Sequence, residues 1–458
     1  MSKVLALVVA AAFLSSDGTR AAITGSDESS VKPGSPAAPE VESGIAELIG
    51  TARGAPPMIC ALASRAVRGF GNWNDAPVSP IQVEAARLYT DRAELAREDR
   101  DLLVQSLSSD DACVRELAVR LVARRGDESV TREFITRLGS PVESVREVAA
   151  LGLGIQEPVA AVDPLIRGLR DQGAGVRANS AWALGMIENG RALSPLLSLF
   201  GDRAEVVREA AIHAVGRLDS TRAASSLIRV LREDDSPRVR RAAAWALGDI
   251  EARDGVEALG VALTRDADPR VREMSAWALG SIESRSATQA LLTAAQRDAD
   301  DKVRETAVWA LAEIEDASTA DALAAIAASD RNTRVRGTAA WAIGNMREGS
   351  GRAPAALVRL LKDENEDTRL KAAWALSEIG DSSVVGAVND AMRAEKSERV
   401  NRALVRALVR SGRRSVTTLT ELLESKDPEV REAAVRALAG RSSHNPWPWP
   451  QPRPRPNP

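Results

Sequence analysis

A short motif recurs along most of this 458-residue chain and constrains its fold more than any other feature. The motif is Val-Arg-x-x-Ala, repeated every 31 to 33 residues with a last step of 30. Weaker copies begin at Thr368 and Val400, and the clear copies begin at Val114, Val145, Val176, Val207, Val239, Val271, Val303, Val335 and Val430. A fixed period of this length indicates a repeat protein in which each unit packs only against its neighbours.

Each period has the pattern of two helices. Within residues 254–282, the side chains of Val256, Leu259 and Leu263 recur at helical spacing. The pair Asp268-Pro269 then offers an N-cap and a first helical residue for a second helix. We therefore predict an all-α solenoid of about eleven helix pairs over residues 93–441, after a degenerate N-terminal cap of helices over 43–92.

A carboxylate accompanies the motif at a fixed distance. An Asp lies six residues before the motif Arg in seven consecutive units: Asp171, Asp202, Asp234, Asp266, Asp298, Asp330 and Asp363. Each Asp falls at the end of a first helix and each Arg at the start of a second. The spacing predicts a structural ladder of charge-assisted hydrogen bonds that ties each turn to the next.

The full repeat pattern resembles a known family. The stretch from Asp234 through Ile250 reads Asp-x-x-x-x-Val-Arg-x-x-Ala-Ala-Trp-Ala-Leu-Gly-x-Ile. It is similar to short HEAT repeats of the phycobilin-lyase type, and the similarity covers about three quarters of the chain. The resemblance implies a right-handed α-solenoid whose second helices line the concave side. It leaves the function open, because this fold is a general scaffold.

An aromatic residue recurs five positions after the motif Arg. This slot holds Trp182, His213, Trp245, Trp277, Trp309, Trp341 and Trp374. On a helical projection, Trp245 lies about 240° from the motif Val, away from the apolar stripe that contains Ala243 and Leu247. We expect these rings to line the concave groove, one per unit, or to cover the seam between adjacent units.

Carboxylates lie one helical turn before or after the aromatic slot. They are Glu273, Glu305, Asp249, Glu313 and Glu378. An aromatic and mostly acidic groove fits a basic or Pro-rich peptide through stacking and cation–π contacts. Glycines such as Gly248 follow their Trp by three residues, which predicts close approach of a neighbouring helix or a ligand backbone.

The two ends of the chain differ from the repeats. Residues 1–22 combine a positive start with an apolar run over 4–14, which predicts a signal peptide and export to the periplasm or the extracellular space. Anchoring in a membrane by this segment is the alternative. Residues 23–42 predict a disordered spacer. Residues 442–458 place Pro at alternate positions and predict an extended tail: a spacer, a ligand for another protein, or a segment that contacts the groove of another copy.

Catalytic motifs are missing from the sequence, which contains only two histidines and no P-loop, GxGxxG, GxSxG or HExxH. Cys60 and Cys113 are too few for a disulfide framework and favour small core side chains, with one disulfide left open for an exported chain. A net charge of −3 argues against nucleic acid. We expect a non-catalytic protein-binding scaffold without cofactor or metal. The alternatives are a subunit like the phycobilin lyases that holds a chromophore or protein substrate, and the sensor or regulatory region of a membrane system.

Overall fold

The computed structural model describes residues 44–55, 95–346, 352–410, 420, 422–424 and 428–438. Throughout these residues the secondary structure is helical, with short connecting turns and no strand. The predicted signal peptide, spacer and Pro-rich tail lie outside the described residues, as does most of the predicted N-terminal cap. Of that cap, helix α1 (Gly44–Ala52) is described, and its Ile45, Leu48 and Ile49 are buried.

The repeat consists of a first and a second helix, as the pattern predicts. The first helices are α2 (Arg97–Ser106), α4 (Glu128–Arg137), α6 (Val162–Gly168), α8 (Leu193–Leu197), α10 (Ala224–Glu233), α12 (Val256–Arg265), α14 (Thr288–Arg297), α16 (Ala320–Ser329), α18 (Ala355–Leu360) and α20 (Val385–Ala394). The second helices are α3 (Ala112–Arg125), α5 (Glu143–Gln156), α7 (Ala174–Ile187), α9 (Glu205–Arg217), α11 (Pro237–Asp249), α13 (Pro269–Ile282), α15 (Asp301–Ile314), α17 (Thr333–Asn345), α19 (Glu366–Ile379), α21 (Glu398–Arg410) and α22 (Pro428–Leu438).

Local sequence sets the helix ends. The carboxylate of Asp268 accepts a hydrogen bond of 2.8 Å from the backbone N–H of Arg270, and Pro269 is the first residue of α13. The first helix of this unit begins at Val256, after a 3₁₀ turn over Arg253–Gly255. Cap and proline together fix the angle between the two helices, because they end one helix and start the next within a few residues.

The core is a continuous column of aliphatic side chains between the two helix layers. In α13 the motif Val271 and Leu279 are fully buried, as is Leu259 of the first helix α12, and aliphatic side chains fill most of the equivalent positions in the other units. The second helices of neighbouring units contact one another more extensively than the first helices do. Each unit therefore buries its apolar surface mainly on the next unit, which is the packing logic of an α-solenoid.

Six second helices end in a carboxylate residue with left-handed backbone conformation. The residues are Glu157, Glu188, Asp219, Glu251, Glu283 and Glu315, with φ between 46° and 55°. In α19 the same position is Gly380, with φ of 67°. Glycine is the residue that adopts this conformation without steric cost, and a negative charge is unfavourable at a helix C-terminus. These caps are therefore strained elements of an otherwise regular array.

The sequence favoured two free cysteines with small core side chains, and Cys113 differs from this prediction. Cys113, at the start of α3, is disulfide-bonded, and no free cysteine is present among the described residues. The sequence contains two cysteines, of which the other is Cys60. The sequence pattern could not place these sulfurs, since it contains no distance information between the cap and the first repeat.

Candidate functional site

The motif arginines from Arg146 to Arg369 form the predicted ladder, and each of these joins two units. The guanidinium of Arg272 donates two hydrogen bonds, 2.8 and 3.0 Å long, to the carboxylate of Asp298 in the following unit. It donates a third, of 2.9 Å, to the backbone carbonyl oxygen of Asp266 in its own unit. The same pairing recurs in Arg146–Asp171, Arg177–Asp202, Arg208–Asp234, Arg240–Asp266, Arg304–Asp330, Arg336–Asp363 and Arg369–Glu395.

The ladder is a structural element, because its charges are matched. The hydrogen bonds from Arg146 lower the pKa of Asp171 below its usual 3.8, against the opposing effect of burial. At Asp202 burial acts to raise the pKa, but the hydrogen bonds from Arg177 and a backbone N–H outweigh it, so that this pKa is also lowered. Paired in this way, the guanidinium groups leave no row of free cations for a phosphate ligand.

The second helices expose one narrow stripe. After its first turn, α15 leaves only Glu305, Trp309 and Glu313 partly accessible, and every other side chain from Thr306 to Ile314 is buried. In α13 the corresponding residues are Glu273, Trp277 and Ser281. We call the positions one, five and nine residues after the motif Arg, in α3 through α21, the open stripe. All the candidate residues predicted from the sequence belong to it.

Each aromatic residue of the open stripe also seals a seam. A Cβ placed on Gly248 would lie 2.8 Å from the Cα of Ala278 and 2.9 Å from the ring of Trp277. The ring of Trp309 covers Gly280 in the same manner. The close partner of these glycines is therefore the neighbouring second helix, one of the two alternatives that the sequence left open. Partial burial is shared by the rings of Trp182, Trp245, Trp277, Trp309, Trp341 and Trp374, which seal the seam and leave only a part of each ring accessible.

His213 occupies the aromatic slot of α9 and packs against the next ring. Its centroid lies 5.0 Å from that of Trp245, with the planes tilted by 48°. Burial lowers the pKa of His213 below 6.5, opposed by nearby Glu209 and aided by Arg241. The imidazole is neutral at pH 7 and continues the aromatic row.

The five predicted carboxylates differ in their surroundings. Glu305 is half-buried and accepts a hydrogen bond of 3.4 Å from the hydroxyl of Thr338. Glu378 forms ion pairs with Arg406 at 3.2 Å and Arg410 at 3.6 Å, while Asp249 is exposed. By contrast, Glu273 and Glu313 are half-buried and form no ion pair with any residue that the structure describes. Among the predicted carboxylates, those that are half-buried without an ion pair therefore lie on α13 and α15, a narrower region than the sequence predicted.

Burial acts directly on these two carboxylates. It raises the pKa of Glu273 above 4.5, with Lys302 opposing, and it raises the pKa of Glu313, with repulsion from Glu283 and Glu315 adding to the effect. A half-buried carboxylate with a raised pKa is destabilised in its charged form. A cationic ligand at this position would relieve that cost.

The two ends of the open stripe carry positive charge that was not predicted from the sequence. Arg402, Arg406 and Arg410 occupy the three stripe positions of α21, and Arg120 and Arg124 occupy two positions in α3. Glu147 of α5 is a further half-buried carboxylate whose pKa is raised by burial and by nearby Glu143. The signal was available in the repeat alignment, since each residue occupies a slot already used for the tryptophans or their flanking carboxylates.

No helix among the described residues is long and apolar enough to span a membrane. In the same part of the chain, no group of three or more His, Cys, Asp or Glu side chains could hold a metal ion.

The stacked helix pairs, with an aromatic residue in the same position of seven consecutive units, define an α-solenoid of the repeat-protein class. The sequence pattern of HEAT repeats matches overlapping segments at 100–185, 162–248, 224–312, 288–364, 320–408 and 387–446. Because these matches cover well over half of the sequence, the chain belongs to the HEAT-repeat family. Among curated proteins, no relative matches it.

Several solved structures are similar. Importin beta matches with a TM-score of 0.58 at 13% identity, over 86% of this chain and 65% of that one. Kap95p in its complex with RanGDP matches with 0.54 at 12% identity, over 86% and 63%. The CpcE–CpcF complex of phycocyanin lyase from Nostoc sp. PCC7120 matches with 0.33 at 23% identity, over 54% and 94%. This chain spans slightly less than two thirds of the two larger chains, and at these identities the likeness concerns the fold alone.

Proposed function

We propose that this protein is a non-catalytic scaffold that binds a basic or Pro-rich segment of a partner protein along the open stripe. The observation that carries the proposal is the cluster on α13 and α15. There, two accessible Trp rings lie beside half-buried carboxylates that form no ion pair within the described residues. Guanidinium groups would neutralise these carboxylates and stack on the rings, while prolines would present a stiff, low-entropy backbone.

The stripe lies on the layer that suits a concave wall. The second helices contact one another more extensively than the first helices do, as expected for the inner layer of a curved stack. Solenoids of this class use such walls as extended binding surfaces. The half-buried rings of this layer are held in place by the glycine contacts, which reduces the entropy lost when a ligand binds.

We also propose that the protein is exported. The apolar segment near the N-terminus and the disulfide at Cys113 support this, because disulfides persist in oxidising compartments. N-terminal sequencing of the mature protein from its native compartment tests the proposal. A first residue beyond the apolar run is expected, whereas an intact Met1 on cytosolic protein would contradict it.

The binding proposal is tested with two peptides of alternating proline and a charged residue. One carries Arg and the other Glu, and binding to the full-length chain is followed by fluorescence anisotropy. We expect the Arg peptide to bind and the Glu peptide not to bind. The variant Glu273→Gln/Glu313→Gln should weaken binding of the Arg peptide at least about tenfold, because two desolvated charge contacts are lost.

A matched control removes the same charge elsewhere. Glu257→Gln/Asp321→Asn neutralises two exposed carboxylates on the first helices α12 and α16. Affinity for the Arg peptide should not change in this variant. If both double variants weaken binding equally, attraction is due only to net charge and the open stripe is not the binding surface.

A further inference from the structure

The chain leaves the last described helix close to the open stripe. Helix α22 ends at Leu438, at the edge of the array where all the second helices end. The last turns of α15, α19 and α21 at this edge carry Glu313, Glu378 and Arg410, which are the ninth-position members of the open stripe. Leu438, the last described residue, therefore lies at the same edge of the array as this row of side chains.

The segment 442–458 has the chemistry that we propose for a ligand of the stripe. It contains no Asp or Glu, and its charged residues are Arg453 and Arg455. Trp447 and Trp449 precede them, and proline occupies every second position from 446 to 458. Such a sequence favours the stiff, extended polyproline conformation.

The segment 442–458 is long enough to run back along the open stripe from α22 to α15. At about 3.1 Å per residue, 15 residues from Leu438 to Arg453 span up to about 46 Å in polyproline conformation. Helix α15 lies four second helices back, through α21, α19 and α17, and each step between packed helices is about 8–10 Å. The tail is thus long enough for its two arginines to reach Glu313 on α15. Its two tryptophans lie about 28–34 Å from Leu438 along the tail and can reach Trp341 on α17.

Along this path, Glu313 is the first carboxylate that forms no ion pair with a described residue. Glu378 is closer to the tail but is already paired with Arg406 and Arg410. The same position of α17 holds the neutral Asn345. Glu313 is half-buried, has no ion pair with any described residue, and lies near Glu283, whose charge repels it.

We infer that residues 442–458 fold back along the open stripe of their own chain, with the two tail arginines against Glu313 and the two tail tryptophans beside Trp341. This inference rests on the proposed function of the open stripe and adds a way in which binding of a partner to the stripe is regulated. A tethered segment acts at an effective concentration of about millimolar, so a partner must displace it before it can bind. The tail is therefore an autoinhibitory occupant of the binding surface.

The test compares two full-length proteins, the wild type and a tail variant with Trp447→Ala, Trp449→Ala, Arg453→Gln and Arg455→Gln. Two fluorescein-labelled probes are titrated into each protein: a synthetic peptide of residues 442–458, and a peptide of alternating Pro and Arg. We expect both probes to bind the tail variant at least about tenfold more tightly than the wild type, because the native tail competes with them. Adding Glu313→Gln to the tail variant should weaken the 442–458 peptide again, while Glu257→Gln should not.

Four outcomes would overturn the inference. Equal affinities of the 442–458 peptide for the two proteins would show that the tail does not occupy the stripe. Self-association of the wild type in light scattering, lost in the tail variant, would assign the tail to a second copy. If the Pro-Arg peptide binds the tail variant but the 442–458 peptide does not, the inference fails and the proposed function stands; if neither peptide binds, both fail.

Discussion

The guanidinium of a motif arginine is fixed at three points, and this makes it the most consequential single side chain of a unit. In the Arg272–Asp298 pair only 15% and 8% of the two side chains are exposed. Arg272→Ala would leave a largely buried carboxylate without its cation, and we expect it to lower the free energy of unfolding by about 3 kcal/mol or more. Urea denaturation followed by circular dichroism measures this loss.

An exposed pair provides the control for that prediction. Arg191 and Asp163 also form an ion pair between units, but 65% and 57% of their side chains are exposed. Arg191→Ala should change the stability by no more than about 1 kcal/mol. Arg272→Lys keeps the charge but cannot form the bidentate contact, so it should recover only part of the loss. Wild-type stability in the Lys variant would show that charge alone, and not geometry, holds the ladder.

The contribution of Glu313 to stability changes with pH in the opposite direction to that of the ladder carboxylates. Its pKa is raised by burial and by Glu283 and Glu315, so the folded state binds this proton more tightly than the unfolded chain does. The contribution to stability is thus present at low pH and is lost as the pH rises from about 4.5 through the raised pKa. In the tail variant, where no tail arginine neutralises Glu313, Glu313→Gln should therefore raise the melting temperature at pH 7, and its advantage should disappear at pH 4.

Exposed Glu257 on α12 is the comparison residue for this measurement. Glu257→Gln removes the same charge at an exposed site, and we expect no such pH-dependent gain from it. The two variants differ only in where the charge is lost. A Glu313→Gln change that lowers the stability of the tail variant at pH 7 would mean that Glu313 has a cation partner other than the tail arginines.

Glycines allow the second helices of neighbouring units to pack closely against one another. Gly248→Ala would place a methyl group against the ring of Trp277 and against the backbone Cα of Ala278, which cannot move without shifting a helix. We expect a loss of about 1–3 kcal/mol, although alanine is the better helix former. Equilibrium unfolding in urea measures the change.

A glycine in a first helix is the matched control. At Gly260 in α12 the nearest atom to an added Cβ is the Cβ of Ala290, at an ordinary distance of 3.5 Å. Gly260→Ala should stabilise the protein by about 0.5–1 kcal/mol. A loss of stability at both positions would indicate that helix spacing is tight in both layers.

The sequence predicted these elements well and their mutual contacts less well. Periodicity and caps place helix boundaries because both depend on residues within a few positions, as at Asp268 and Pro269. The partner of Gly248 lies 30 residues away, and the ladder arginine pairs with a carboxylate about 26 residues ahead as well as with its own turn. Contacts of that kind depend on how units stack, which a local pattern does not specify.

At the scale of the whole array, the candidate site was predicted as a row of residues but not as a distribution of charge. The repeat alignment places each Trp on the open stripe, since its angle from the motif Val is fixed. Which carboxylates remain without a cation depends on neighbours in other units, as the pairing of Glu378 with Arg406 illustrates. The acidic region therefore emerged on α13 and α15 only when the units were assembled.

An array in which units contact only their neighbours should lose stability locally when one seam is damaged. Trp277→Ala removes a half-buried ring from the seam between α11 and α13, and we expect a loss of about 2 kcal/mol, below the roughly 3–5 kcal/mol for a fully buried ring. Hydrogen exchange followed by mass spectrometry should show faster exchange in α11 and α13, with α5 unchanged. Val261→Ala, on an exposed face of α12, should leave all three helices unaffected. Equal loss of protection in α5, α11 and α13 would mean that the array unfolds as one cooperative unit, because damage at one seam would then be felt at all of them.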